Sequence, residues 1–136
     1  MSRNIFVDTN IVLDILDRQR ASGHLVEDLW VKTLKENKKI YISEDMITTI
    51  FYLSRDKEKT LEFFKIILDD WNIVTFSKDM ISKAINLSLE NNLDLEDVLQ
   101  CLCAKENECE VLITNDKQFY DCGVKIMSTK EYIDEK

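Results

Sequence analysis

Five short apolar runs, at 5–7, 40–42, 73–76, 111–114 and 124–127, punctuate a chain otherwise patterned at helical spacing. They are rich in Ile and Val, mostly lack polar alternation, and are too short for buried helices. They read as strands covered on both faces. A helix is expected to begin near Asn10. Over 21–39, Leu25, Leu29 and Leu34 recur at roughly helical spacing, and 46–55 and 60–71 supply two more helices. In 77–92, Ser77 is placed as an N-cap ahead of a stripe of Met80, Ile81, Ala84, Ile85 and Leu89. The segment 95–108 is expected to turn Val98, Leu99, Leu102 and Cys103 inward. STKEYI, at 128–133, repeats the capping logic, with Glu131 three residues after Ser128. Strands alternating with helices imply right-handed crossovers. The expected fold is therefore α/β: a three-layer α/β/α sandwich with a mainly parallel, about five-stranded central sheet.

The chain of 136 residues has no proline, two glycines, no repeat and no linker-like stretch, so one domain over 1–136 is expected. A composition 45% hydrophobic and 32% charged excludes disorder. No apolar run approaches the ~20 residues of a membrane span. MSRNIFVDTN lacks the features of a signal peptide, and the expected location is the cytoplasm, away from any membrane. The net charge of -8 argues against a generic nucleic-acid coat protein. It leaves open an enzyme that meets nucleic acid through bound cations. The basic stretch KTLKENKK, 32–39, reads as a solvated helix end near a negative dipole or as a phosphate-facing patch. Cys101, Cys103, Cys109 and Cys122 fit no common zinc spacing, and His24 lies far away. Reduced thiols are expected, three of them in one helix.

Acids interrupt this pattern at three places. Asp8 follows the first strand, and Asp116 comes two residues after the fourth. Asp94 and Asp97 open the helix of Val98 and, three residues apart, share one face. Were the first and fourth strands neighbours, Asp8, Asp97 and Asp116 would converge where α/β sheets place their sites. Converged carboxylates repel one another until they share protons or bind a cation. All-oxygen donors suit Mg²⁺ or Mn²⁺, which serve phosphoryl transfer. Each acid also has a purely structural reading. Asp8 and Asp116 could cap helices, and Asp94 and Asp97 could be first-turn acids favoured by the helix dipole.

These residues resemble the PIN domain (PilT N-terminal domain), a family of metal-dependent nucleases. VDTNIVLDIL matches the family's opening Asp-Thr-Asn and apolar helix. The segment LDLEDVLQCLCAKENECEVLITNDKQFYDCGVKIMSTKEYI matches its C-terminal half. The resemblance spans essentially the whole chain. It implies that Asp8, Asp97 and Asp116 bind Mg²⁺ or Mn²⁺ and are catalytic. It further implies that Asn10 and Thr114 support the site by hydrogen bonds to carboxylates or water. The implied activity is metal-dependent endoribonuclease cleavage, with water attacking the phosphodiester to leave 5′-phosphate and 3′-hydroxyl ends. Among small single-domain forms it also implies the toxin of a toxin–antitoxin pair, similar to VapC. Its partners would be an RNA substrate, a small antitoxin protein and a second copy in a homodimer.

One position departs from the family. A Glu usually stands about six residues after the serine ending the second strand, but counting from Ser43 that place holds Thr49. Glu96 or Asp94 is the candidate to supply the missing ligand; Glu44 and Asp45 have less promising geometry. Arg18, Arg20 and the lysines of 32–39 are candidates to steer the RNA backbone. The alternative reading is a catalytically degraded PIN fold that binds RNA or protein. A receiver-type phosphoacceptor is disfavoured, because FVDTN and LITND lack its acidic pair and its late lysine.

Overall fold

Ile5, Phe6 and Val7 are buried on both faces of the first strand, which makes it the centre of the sheet. The computed structural model describes residues 3–135. Met1, Ser2 and Lys136, part of the expected 1–136 domain, lie outside the described residues. The strands are β1 (Asn4–Val7), β2 (Lys39–Ser43), β3 (Asn72–Val74), β4 (Val111–Ile113) and β5 (Ile126–Met127). The α-helices are α1 (Thr9–Leu16), α2 (Val26–Lys35), α3 (Asp45–Leu53), α4 (Lys57–Asp70), α5 (Lys78–Asn91), α6 (Leu95–Glu106) and α7 (Thr129–Asp134). A short 3-10 turn, Gly23–Leu25, precedes α2.

All pairings are parallel, in the order β3-β2-β1-β4-β5. The chain walks outward from β1 to β3, then crosses to the other side of β1 to lay down β4. Right-handed crossovers in opposite directions place α5 and α6 on the face opposite α1 to α4. Accordingly α5 packs on α6, and α6 packs across β1, β2 and β4. The reversal falls between β1 and β4, and the crevice at the carboxyl ends of those strands is where such sheets bind ligands. Val7 pairs with Ile113, so Asp8 and Thr114 emerge there side by side.

The expected elements are all present with shifted ends. Asp56 accepts from Lys59 N and starts α4 three residues earlier than the apolar pattern indicated. Ser77 caps α5 through Met80 N, and Ser128 with Glu131 forms the expected capping box. Val98, Leu99, Leu102 and Cys103 are buried as expected. The stripe on α5 is split, however. Met80 and Ala84 are buried, whereas Ile81, Ile85 and Leu89 are 40%, 44% and 78% exposed. A shared helical face does not fix how much of that face the neighbouring layer covers. Leu34 is likewise exposed, and Leu29 and Thr33 fill the inner face of α2.

Candidate active site

The backbone of Asp8 leaves β1 and at once enters α1. It is the N-cap of that helix, and its Oδ1 accepts from Thr9 N at 2.6 Å. Its Oδ2 accepts from the buried Thr114 hydroxyl at 2.7 Å. Asp8 N also donates to Ile113 O at 3.0 Å, which locks the residue against β4. The capping role is real, yet it does not exhaust this 7% exposed carboxylate. Thr114 Oγ1 accepts in turn from Asp116 N at 3.1 Å and so ties the two acids' segments together. Thr114 thus bonds to the Asp8 carboxylate on one side and the Asp116 backbone on the other.

Asp94 is the N-cap of α6, accepting from Asp97 N at 3.1 Å. Asp97 then projects from the first turn, half-buried. Its carboxyl is pushed up to about 6, first by desolvation and then by the charges of Asp94, Asp8, Asp116 and Glu96. Glu96 is raised as well, by desolvation and then by Asp45 and Asp8, despite a 3.4 Å bond from the Thr9 hydroxyl. Asp116 is exposed and opens a turn, accepting from Gln118 N at 2.9 Å. Asp8, Asp94, Glu96, Asp97 and Asp116 thus act on one another across the carboxyl end of the sheet. That mutual repulsion is what the strand-end acids imply, and no cationic side chain is among its causes.

The residues near Thr49 are arranged differently from expectation. The Thr49 hydroxyl turns back on its own helix and donates to Asp45 O at 3.2 Å. Glu44 accepts from Phe76 N at 2.7 Å. Asp45 is held by the Ser43 hydroxyl at 2.6 Å, and its charge is the largest neighbouring influence on Glu96. Among the acids of that segment, the one given little promise from sequence is the one that acts on the site. Asn10 is exposed, and its Oδ1 faces Arg20 Nη2 at 3.5 Å.

The 32–39 lysines sit at the wrong edge of the sheet for steering a substrate. Lys38 pairs with Glu110 ahead of β4, and Lys32 reaches the last turn of α7 at Tyr132 O and Glu135 O. Arg18 is engaged with Glu27 at 3.1 Å. The expectation of reduced thiols also needs correction. Cys101 of α6 and Cys122 of the β4–β5 loop form a disulfide. Their Cα atoms are 6.3 Å apart because the loop folds back over the helix, a closeness that sequence spacing does not reveal. Cys109 lies beyond the end of α6, so two cysteines rather than three belong to that helix. The free thiols, Cys103 and Cys109, are pushed up to about 12 by burial and are inert.

Among the described residues, no three His, Cys, Asp or Glu side chains stand close enough to hold a metal ion as placed. The donor chemistry nevertheless fits a hard cation. All the site's charged side chains are carboxylates, and the repulsion that helps raise Asp97 is what a divalent charge would relieve.

Comparison with known proteins agrees with this geometry. The family model "PIN domain" matches residues 5–125. Ribonuclease VapC1 from Aquifex aeolicus is 37% identical over 136 residues, covering 96% of this chain and 94% of the relative. Mycobacterium tuberculosis VapC20, a sarcin-ricin loop cleaving toxin, superposes with a TM-score of 0.74 at 14% identity, covering 88% and 95% of the two chains. A toxin–antitoxin complex from Klebsiella pneumoniae gives a TM-score of 0.67 at 20% identity, with 92% and 97% covered. By the extent of the family match and the identity to its full-length relative, the chain belongs to the PIN domain family.

Proposed function

We propose that this protein is a divalent-metal-dependent endoribonuclease, acting in the cytoplasm as the toxin of a toxin–antitoxin pair. The observation that carries the reading is Asp8, fixed by Thr114 at the β1–β4 switch point within a set of carboxylates that no cation compensates. The relative named as a ribonuclease supports RNA as substrate, and the superposed toxin–antitoxin complex supports a small antitoxin partner. Among the described residues no helix is long and apolar enough to cross a membrane.

Asp8, Asp97 and Asp116 would hold the ion, with Glu96 beside them and Asp94 fixing the first turn of α6. Mg²⁺ or Mn²⁺ suits such all-oxygen donors. When bound, the ion neutralises the carboxylates, activates water and polarises the phosphoryl oxygen. The chain's own contribution is positional. Thr114 and Thr9 N leave Asp8 little rotational freedom, and Thr114 aligns the backbone of Asp116. No dedicated general base is visible, so a carboxylate or a second metal ion would have to orient the attacking water. A second copy in a homodimer is a further proposed partner, and light scattering measures that state directly.

The function is tested by incubating labelled mixed RNA with purified protein in Mg²⁺, Mn²⁺ or EDTA, alongside Asp8→Asn. Cutting that needs metal and vanishes in the variant is the expected result. A folded protein that neither cuts RNA nor gains thermal stability from Mn²⁺ would favour the degraded binding module, consistent with Thr49 in place of a Glu.

A further inference from the structure

Buried in the apolar face of α1, within the run IVLDIL, is Asp14, a carboxylate 5% exposed. Its charge is uncomfortable there: burial raises its pKa, and only Arg20 draws it down. An apolar residue at this place would pack as well without the desolvation cost, so a buried ion pair of this kind is weak evidence for stability. The pair needs another explanation, and its geometry offers one.

Arg20 lies in a tight turn between α1 and the 3-10 turn. Arg20 N donates to Asp17 O at 3.2 Å, and Gly23 N donates to Arg20 O at 2.9 Å. Gly23 permits the turn to close, because a Cβ there would lie 2.3 Å from Arg18 O. The turn brings the Arg20 side chain back along α1. Its Nε donates to Asp14 Oδ1 at 2.9 Å, and its Nη2 faces Asn10 Oδ1 at 3.5 Å. Asp14 thus grips the guanidinium by the nitrogen nearest the stem, and Nη1 has no partner among the described residues. The outer fork of the guanidinium is the part that binds phosphate oxygens in pairs.

That fork borders a cavity of about 550 Å³ lined by Asn10, Asp14, Arg20, Ser22, Asn115 and Asp116, among others. Arg20 is the one cation among its lining residues, which also include Asp116. A second cavity also lined by Arg20 adds Arg55 and Lys59. Arg20, Arg55 and Lys59 thus offer a polyanion a run of cations on the α1 side of the acids, while Lys117 and Lys130 line a separate cavity that also reaches Asp116.

The geometry points to Arg20 as a substrate-binding residue that holds a backbone phosphate beside the Asp116 end of the site, with Asp14 as the positioning residue that presents it. This assignment rests on the nuclease reading and adds to it a strand path: RNA leaves the acids over α1, past Asn10. It also gives Asn10 a part, as the second support of the guanidinium.

The test measures binding of a fluorescent single-stranded RNA oligonucleotide in EDTA as salt is varied, and cleavage kinetics in Mn²⁺ separately. One lost phosphate contact makes the slope of log K against log salt shallower by about 0.7 for a single strand. Arg20→Ala is expected to show that change and a KM raised roughly ten- to a hundredfold with kcat kept, as loss of a charge-assisted bond predicts. Arg20→Lys should restore the slope but not the full KM, since it returns the charge without the fork. Asp14→Asn should fall between the two. If Arg20→Ala does not fold, the double variant Asp14→Leu with Arg20→Met removes the pair without an orphan charge and must show the same slope change. A wild type that cuts RNA while these variants keep its slope and KM overturns the assignment alone. A wild type that neither binds nor cuts RNA overturns it together with the nuclease reading.

Discussion

Around the amino ends of the strands, charged side chains satisfy one another. Lys38 pairs with Glu110 and Glu36, Lys32 caps the end of α7, and Lys125 holds the Glu135 carboxyl below its usual range. Around the carboxyl ends, Asp97 and Glu96 are raised by desolvation and by neighbours of their own sign, and cations enter only at the margin, Arg20 in one cavity lined by Asp116 and Lys117 and Lys130 in another. The same chemistry is present at both edges. At one it has been arranged to cancel, at the other to persist, and a protein keeps an uncancelled charge cluster where something from outside is to cancel it.

The comparison breaks most readily at Asp8. Asp8→Asn is expected to reduce RNA cleavage by more than the roughly 10- to 100-fold typical of losing an outer-shell partner, and Thr114→Val to fall within that range. Quantifying labelled product for both variants in Mn²⁺ separates a direct role from a supporting one. Equal losses would mean that Asp8 acts only through its position.

The next effect concerns stability at the carboxyl edge. The Cys101–Cys122 bond joins the helix carrying Asp97 to the loop carrying Asp116 across a separation of 21 residues. Closing a loop of that size contributes about 3 kcal/mol by restricting the unfolded chain. Cys101→Ser, or dithiothreitol, should lower the calorimetric melting temperature by several degrees. An unchanged melting temperature would show that the purified protein carries free thiols.

Acid titration sharpens the contrast further. Asp97 titrates near 6 in the folded chain against an ordinary 3.8. Between about pH 4 and 6 the folded state therefore keeps a proton that the unfolded state has released, and metal-free stability falls as pH rises through that window. Asp97→Asn should melt higher than wild type above pH 6 in EDTA and converge with it below pH 4. Divalent metal should shrink the difference by stabilising only the wild type.

The smallest effect belongs to the opposite edge. Lys38→Met removes the pairs to Glu110 and Glu36 and should cost about 1 kcal/mol or less, typical of partly exposed ion pairs, in urea unfolding. Cleavage should be unaffected. A large loss of activity would show that the basic stretch does meet the RNA.

The layers and the acids were legible because they depend on local rules. Ile5 to Val7 had to be a strand buried on two faces, Ser77 and Ser128 had to cap, and an Asp closing a parallel strand had to lie at the site edge. What local rules cannot reach is return geometry. The turn that brings Arg20 back onto Asp14 has no periodicity, and Cys122 meets Cys101 only because a loop refolds over α6. That the charge of Asp45 reaches Glu96 depends on how the segments of the chain come together, and the exposure of Ile81 and Leu89 depends on what the other layer covers.

Asp8 and Thr114 are 106 residues apart, and the bond between them crosses the one place where the strand order reverses. A chain growing on the ribosome therefore makes the first half of its site at once and the second half almost last. Until β4 has emerged and slid in beside β1, Asp8 has no Thr114, no Asp116 and no complete sheet to stand on. On the nuclease reading proposed above, this order of assembly would withhold a competent site until the last part of the chain is in place.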